Sequence, residues 1–150
     1  MQKDADLLKM IEESGLERIA DPIRNAALLS NRMITSAVDA AEVPTGRSRI
    51  GGRPDLPHEA QWPTYQGKPL SFIAQIRLEE VPWKPEDLPE KGLLSFFYNA
   101  DDQPWGYDPE EAGQWRVLYH AEADKLERRS LPDGLKQSDE FGASAVDFSV

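Results

Sequence analysis

The chain has 150 residues, of which 39% are hydrophobic and 29% charged, a composition typical of one folded domain spanning residues 1–150 and not of a disordered chain. Its 27 acidic and 17 basic residues give a net charge of −10, which would repel nucleic acid and anionic membranes and attract a protein with a basic surface, although the favoured interpretation is simply an acidic, soluble protein. The lack of cysteine excludes disulfides, thiolate catalysis and zinc–thiolate sites.

The N-terminal segment is predicted to be an amphipathic helix over residues 4–20. Leu7, Met10 and Ile11 recur near helical spacing, with charged residues between them. The segment lacks the long apolar stretch and cleavage site of a secretory signal, and no part of the chain approaches the roughly 20 apolar residues of a membrane span. These observations predict a cytoplasmic protein.

The next segment is predicted to restart the chain at Asp21-Pro22, with Asp21 as a helix N-cap and Pro22 at the first helical position. Residues 23–29 then form either a second short helix or an extended segment, because their apolar positions are too few to fix a period. The β-branched and small residues of 32–38 predict a strand, and residues 39–46 predict a loop.

The rest of the chain has the pattern of β structure. Apolar or alternating runs, separated by loops rich in proline and acidic residues, predict four strands, at residues 70–78, 92–100, 114–123 and 143–150. A strand at the very end of the chain needs a partner, since an open edge favours aggregation. The sequence therefore predicts that Val150 is not the natural end of the fold.

The pair Gly51-Gly52 is the sharpest local signal in the sequence. Two glycines permit positive φ or a close backbone approach, and Pro54 fixes the direction in which the chain leaves. One interpretation is a loop whose amides, together with the side chains of Arg49 and Arg53, hold an anionic group. The favoured interpretation is a tight corner between strands.

Three tryptophans lie beside prolines: Trp62, Trp83 and Trp105. Large rings on rigid loops are suited to a binding surface, but they also cover the open ends of β structures, and the second role is favoured because tryptophan is usually buried. Gln75 interrupts an apolar strand. A buried amide must be hydrogen-bonded, so it either ties strands together, which is favoured, or faces a pocket.

No catalytic, metal or cofactor site is predicted. The acidic residues of the 101–111 segment do not have the spacing of a calcium-binding loop, and a solvated charged surface explains them better. The two histidines, His58 and His120, are isolated and make neither a zinc site nor a catalytic triad.

Several of these motifs, in order, resemble one family, the YwqG-like proteins, also called the domain of unknown function 1963 family. The resemblance covers residues 45–123. It is carried by the segments 48–54 (SRIGGRP), 56–57 (LP), 62–63 (WP), 69–76 (PLSFIAQI), 88–98 (LPEKGLLSFFY), 106–108 (GYD) and 116–119 (RVLY).

The resemblance implies a mostly β fold with peripheral helices, and a chain longer than this one. It carries no catalytic residue, since the activity of the family is not established. Some relatives are encoded among bacterial toxin and immunity genes, which points to a role in binding a partner.

These observations together predict an α+β fold, mostly β, in which a helical N-terminal segment packs on a twisted antiparallel or mixed sheet. The leading functional hypothesis is a non-catalytic adaptor, immunity-like in one version, that binds protein through its acidic and Pro-Trp loops. The alternative is a protein that binds or processes a small ligand or sugar. Its pocket would lie near the Gly-Gly turn and the Pro-Trp loops and would involve Gly51, Gly52, Arg53, Trp62, Gln75 and Trp105.

Overall fold

A computed structural model of the chain describes residues 2–122 and 125–149. The chain divides into two compact units, with the boundary between Ser30 and Asn31. The first unit is helical, and the second contains all the strands among the described residues, so the predicted mostly β fold with an N-terminal helical segment is confirmed. No helix in the described part of the chain has the length and apolar character needed to cross a membrane.

The helical unit contains α1 (Gln2–Glu13), a 3-10 turn (Glu17–Ile19) and α2 (Ala20–Ala26). The first helix is shorter than predicted because Gly15 takes a left-handed conformation with φ +64°. The Leu16 amide then donates to the Ile11 carbonyl at 3.0 Å, the closing bond of a Schellman motif. The predicted cap at Asp21 is wrong, since α2 has already begun at Ala20 and Asp21 lies in its first turn.

The second unit is built on a six-stranded sheet with the order β1-β10-β2-β6-β7-β8, in which every pairing is antiparallel. Its strands are β1 (Arg32–Ala37), β2 (Arg49–Ile50), β6 (Ser71–Arg77), β7 (Leu93–Tyr98), β8 (Trp115–His120) and β10 (Ser144–Ser149). Two short antiparallel pairs accompany it: β3 (Asp55–Pro57) with β9 (Leu126–Arg128), and β4 (Thr64–Tyr65) with β5 (Lys68–Pro69).

The last strand lies in the interior of the sheet. β10 pairs with β1 on one side, where Val146 is opposite Thr35, and with β2 on the other, where Ala145 is opposite Arg49. The partners that a terminal strand needs are therefore β1 and β2, and both sides of β10 are paired. The edges of the described sheet are β1 and β8.

The core lies on one face of the sheet and is covered by the β3–β9 pair. Along β7, Leu93, Ser95 and Phe97 are buried while the residues between them are only half-buried, as expected of a strand with one face toward a core. Leu56 of β3 and Phe72 of β6 pack with Phe97 in the main apolar cluster. This arrangement places Leu56 of β3 over β6 and β7.

Candidate functional site

Four polar side chains form a network inside the second unit, and we call it the buried charge network: Arg49, Asp55, Gln75 and Arg128. The pairing of β3 with β9 places Asp55 opposite Arg128, and the pairing of β2 with β6 places Arg49 opposite Gln75. Arg49, Asp55 and Gln75 have no exposed surface, and Arg128 is half-buried. The strand pairings therefore position all four groups.

Asp55 is the centre of this network. Its carboxylate accepts hydrogen bonds from Arg128 Nε at 3.0 Å, Gln75 Nε2 at 2.8 Å and the Gly46 amide at 2.8 Å. Burial on its own would raise the pKa of Asp55, but the bonds from Arg128 and Gly46, the charge of Arg49 and the bond from Gln75 together hold that pKa below its usual value. Asp55 is therefore ionised despite its burial.

Arg49 is held less completely than Asp55. Its Nη2 lies 3.1 Å from Asp55 Oδ1, yet none of its three guanidinium nitrogens forms a well-aligned hydrogen bond with any residue that the structure describes. The guanidinium carbon lies 6.0 Å from the centre of the Phe72 ring, within range of a cation–π contact. Burial lowers the pKa of Arg49, and the charge of Asp55 opposes that shift.

Gln75 ties β6 to the segments above the sheet. Its Oε1 accepts from the Asp55 amide at 2.9 Å, and its Nε2 donates to the Arg47 carbonyl at 2.8 Å as well as to the Asp55 carboxylate. Both ends of the amide are thus used within the protein, which explains how a polar side chain is buried in an apolar strand.

The Gly-Gly turn is a corner packed against a neighbouring backbone. Gly51 and Gly52 have φ values of +65° and +67°, and their amides donate to the carbonyls of Ile73 at 2.7 Å and Phe141 at 2.8 Å. Neither amide is free to bind a ligand. Arg53 is also occupied, because its Nε lies 3.2 Å from Glu140 Oε2.

Trp62 belongs to the core. Its ring is half-buried and meets Phe97 edge to face, with 5.5 Å between the ring centroids. Its indole nitrogen donates to the Leu70 carbonyl at 2.8 Å. Both the apolar ring and the polar nitrogen are therefore used in packing the protein.

Trp105 has the opposite environment. It lies in the segment of residues 99–114 between β7 and β8, which we call the aromatic loop, and its side chain is 93% exposed. Tyr107, two residues further on, is 91% exposed. Tryptophan and tyrosine usually bury most of their surface, so two such exposed rings two residues apart are unusual.

One hydrogen bond from β7 and one within the aromatic loop fix the shape of the loop. The Tyr98 hydroxyl donates to the Pro104 carbonyl at 2.8 Å, immediately before Trp105. The Gly106 amide donates to the Glu111 carboxylate at 2.7 Å, immediately after it. Both ends of the short segment that carries the exposed tryptophan are therefore anchored.

A cavity of about 510 Å³ lies beside the aromatic loop, within the second unit. Its lining comes from the start of β6, the end of β7, the aromatic loop and the segment that precedes β10: Ser71, Ile73, Tyr98, Ala100, Asp101, Gln103, Ser138, Asp139, Glu140 and Phe141. The aromatic loop thus forms one wall of the cavity. The opposite wall is the 138–141 segment, which is joined to the Gly-Gly turn and to Arg53.

The residues predicted for a ligand site do not converge in one place. Gln75 lies in the buried charge network, Trp62 in the core and Trp105 on the exposed loop. The cavity has none of the six predicted residues in its lining, namely Gly51, Gly52, Arg53, Trp62, Gln75 and Trp105. Gly52 and Arg53 contact only the 138–141 wall of the cavity: the Gly52 amide bonds to the Phe141 carbonyl, and the Arg53 side chain bonds to Glu140.

The acidic residues of the aromatic loop do not gather around one point. Within residues 2–122 and 125–149, no three histidine or acidic side chains are close enough together to hold a metal ion. His120 is half-buried on β8, and burial lowers its pKa. His58 is exposed and lies 3.4 Å from Glu127.

The sequence alone predicts neither the exposure of Tyr107 nor the contact between Asp55 and Arg128. The sequence around Tyr107 has no signal beyond the GYD motif, and the near-complete exposure of its ring depends on how the aromatic loop leaves the sheet. Asp55 and Arg128 meet because β3 pairs with β9, two three-residue strands that no local pattern predicts. The Pro54-Asp55-Leu56 sequence, with an acidic residue between residues of the core, was the one available signal.

The part of the chain that contains the buried charge network, the aromatic loop and the cavity corresponds to a known family. Residues 48–149 match the family described as Domain of unknown function (DUF1963). The chain belongs to this family. The DUF1963 match runs from the residue before β2 to the last residue of β10, so it includes the buried charge network, the aromatic loop and the cavity. No curated protein matches the chain.

Proposed function

We propose that this chain is a non-catalytic adaptor that binds another protein through the aromatic loop. The observation that carries this proposal is the exposure of Trp105 and Tyr107, at 93% and 91%. Aromatic side chains of this size bury about 150–250 Å² each on contact, and tryptophan and tyrosine are enriched among the residues that dominate protein–protein affinity.

The order of the loop supports this proposal. The bonds at Pro104 and Gly106 hold the backbone on both sides of Trp105 before any partner arrives. A further bond, from the Glu110 amide to the Asp108 carboxylate at 3.0 Å, fixes the turn that follows Tyr107. A loop that is already ordered loses little conformational entropy on binding.

The charge around the two rings supports a partner with a basic surface. Five acidic residues belong to the same loop: Asp101, Asp102, Asp108, Glu110 and Glu111. Opposite charges around an apolar centre steer the encounter between proteins and disfavour partners of the wrong sign. The proposed location of the adaptor is the cytoplasm. If its partner is a toxin, the adaptor has an immunity-like role.

The test compares three baits in affinity capture from a lysate: the wild-type chain, the Trp105→Ala/Tyr107→Ala variant and the Val117→Ala variant. Val117 is a suitable control because it is 53% exposed and lies on β8, outside the loop. Proteins retained by the wild type and by Val117→Ala, but lost from the double variant, are then purified and their affinity is measured by calorimetry.

We expect the double variant to weaken binding of such a protein by at least about 30-fold, the equivalent of about 2 kcal/mol for a dominant contact. We also expect the affinity to fall as the salt concentration rises, since exposed charges are screened. The adaptor proposal is wrong if the double variant retains the same proteins with unchanged affinity.

A further inference from the structure

We propose that the cavity between the aromatic loop and the 138–141 segment is a binding site for an aliphatic ammonium or guanidinium group. The group belongs either to a free small molecule or to a lysine or arginine side chain of another protein. This inference does not depend on the adaptor role, because it concerns the cavity and not the exposed rings.

The size and walls of the cavity suit a small organic ligand. Its volume of about 510 Å³ falls within the usual range of ligand pockets, about 300–1,000 Å³. Ile73, Tyr98 and Phe141 supply apolar surface. Both walls are anchored, one by the bond from Tyr98 to Pro104 and the other by the bond from the Gly52 amide to Phe141.

The charge of the lining selects a cation. Among the described residues that line the cavity there are three carboxylates and no lysine or arginine. Glu140 is neutralised by Arg53, 3.2 Å away, which leaves Asp101 and Asp139. The Lys136 amide and the Ser138 hydroxyl hold the pKa of Asp139 below its usual value, so that side chain stays ionised. An anionic ligand would be repelled.

Ser71 is an independent sign that the cavity takes a polar group. It is only 7% exposed, and its hydroxyl makes no hydrogen bond with any residue in the described ranges. Ser71 is paired with Tyr98, which lines the same cavity, whereas the neighbouring Phe72 points into the core on the opposite face of the sheet. Alternation along the strand therefore directs the Ser71 side chain toward the cavity.

These features together specify the class of ligand. Asp101 and Asp139, two carboxylates that form no salt bridge with the described residues, attract a positive group that donates hydrogen bonds, and the buried Ser71 hydroxyl accepts one more. The apolar walls favour a short hydrocarbon chain behind the charged head. Lysine and arginine side chains have this construction, as do free diamines and agmatine.

The test titrates isotopically labelled protein with agmatine and follows backbone amide signals by NMR. A second titration uses the blocked peptide acetyl-Gly-Arg-Gly-amide, and a third uses 4-guanidinobutyrate, in which a carboxylate takes the place of the ammonium end of agmatine. Asp101→Asn removes one free carboxylate, and since Asp101 is exposed and holds no salt bridge among the described residues, the fold should not change. Asp87→Asn is the control variant, because it removes one negative charge from the exposed loop before β7, which does not line the cavity.

We expect saturable shifts confined to the cavity residues, for example Ser71, Ile73 and Phe141, and binding at least about 5-fold weaker in Asp101→Asn than in Asp87→Asn. We expect 4-guanidinobutyrate to bind more weakly than agmatine. Binding of agmatine identifies a free small molecule as a sufficient ligand, and binding of the peptide alone identifies a protein side chain. The inference is overturned if neither probe gives saturable shifts, or if both variants weaken binding equally.

Discussion

Arg49 Nη2 and Asp55 Oδ1 lie 3.1 Å apart, and neither side chain has any surface exposed to solvent. An ion pair removed from water in this way loses two hydration shells, so it is maintained only where other groups complete the bonding. Here Arg128, Gln75 and the Gly46 amide complete the bonding of Asp55. The pair joins β2 of the main sheet to β3 above it.

Replacing Asp55 by asparagine should therefore destabilise the protein strongly. The change leaves Arg49 and Arg128 without their counter-charge, and breaking a buried pair by removing one partner typically costs about 3–5 kcal/mol. The measurement is the free energy of unfolding in urea. Asp87→Asn, the exposed control, should change it by less than about 0.5 kcal/mol. A loss below about 1 kcal/mol for Asp55→Asn would show that the network contributes little.

Acid should remove the contribution of Asp55. Its pKa in the folded protein lies below the ordinary value of 3.8, so the stabilisation is complete above that pH and is lost as the pH falls through the folded pKa. We expect the difference in unfolding free energy between the wild type and Asp55→Asn to be constant from about pH 5 to 8 and to shrink below about pH 3.8.

The comparison with Asp55→Asn is necessary because the pKa of Glu79 is also held low, by hydrogen bonds from backbone amides and by Arg77, against the effect of burial. The wild type alone would report both groups and also Asp139, whose pKa is held low as well. A difference between wild type and variant that does not change with pH contradicts the assignment to Asp55.

Replacing Gly51 by alanine should be far more costly than replacing Gly67. Both glycines have positive φ, +65° and +78°, which costs an alanine about 1–2 kcal/mol. A Cβ at Gly51 would also lie 2.2 Å from the Gly142 carbonyl oxygen, whereas no atom lies within 4 Å of a Cβ at Gly67. Since overpacking adds typically 1–3 kcal/mol, we expect about 2–5 kcal/mol for Gly51→Ala.

The Gly67→Ala variant is the control for backbone strain in that experiment, and urea unfolding measures both. Equal losses of stability in the two variants would mean that the contact between the Gly-Gly turn and the 141–142 backbone is not tight.

The two tryptophans should differ in what they contribute to stability. Trp105→Ala removes a ring with almost no contact to the protein, so the free energy of unfolding should change by less than about 0.5 kcal/mol. Trp62→Ala removes a ring packed on Phe97 and should cost about 3–5 kcal/mol. Urea unfolding tests both changes, and acrylamide should quench the fluorescence of Trp105 more than that of Trp62. A large loss of stability in Trp105→Ala would indicate that the loop packs on the protein.

The strands with an apolar or aromatic pattern of their own were predictable. β1, β6, β7, β8 and β10 all lie within the ranges that period and composition indicate, because a strand with one face toward a core has an alternating or continuously apolar sequence. β2, β3 and β9 have two or three residues each and are defined by partners far away in the chain. No local pattern contains that information.

The same limit applies to the sites. The sequence indicates that Gln75 is a buried tie and that Gly51 and Gly52 form a corner, because a lone amide in an apolar strand and paired glycines each have a local physical meaning. It does not separate Trp62 from Trp105, since both lie next to proline. Whether such a ring packs inward or projects into solvent depends on the three-dimensional path of the loop.

The place of β10 also constrains when the sheet can form during synthesis. β1 is made early but pairs only with β10 among the described strands, and β10 emerges from the ribosome after every other strand. β1 must therefore wait, unpaired, until the chain has been translated as far as Ser149. Long-range pairing of this kind slows folding and prolongs the exposure of strand edges, which makes the nascent chain a candidate for protection by chaperones.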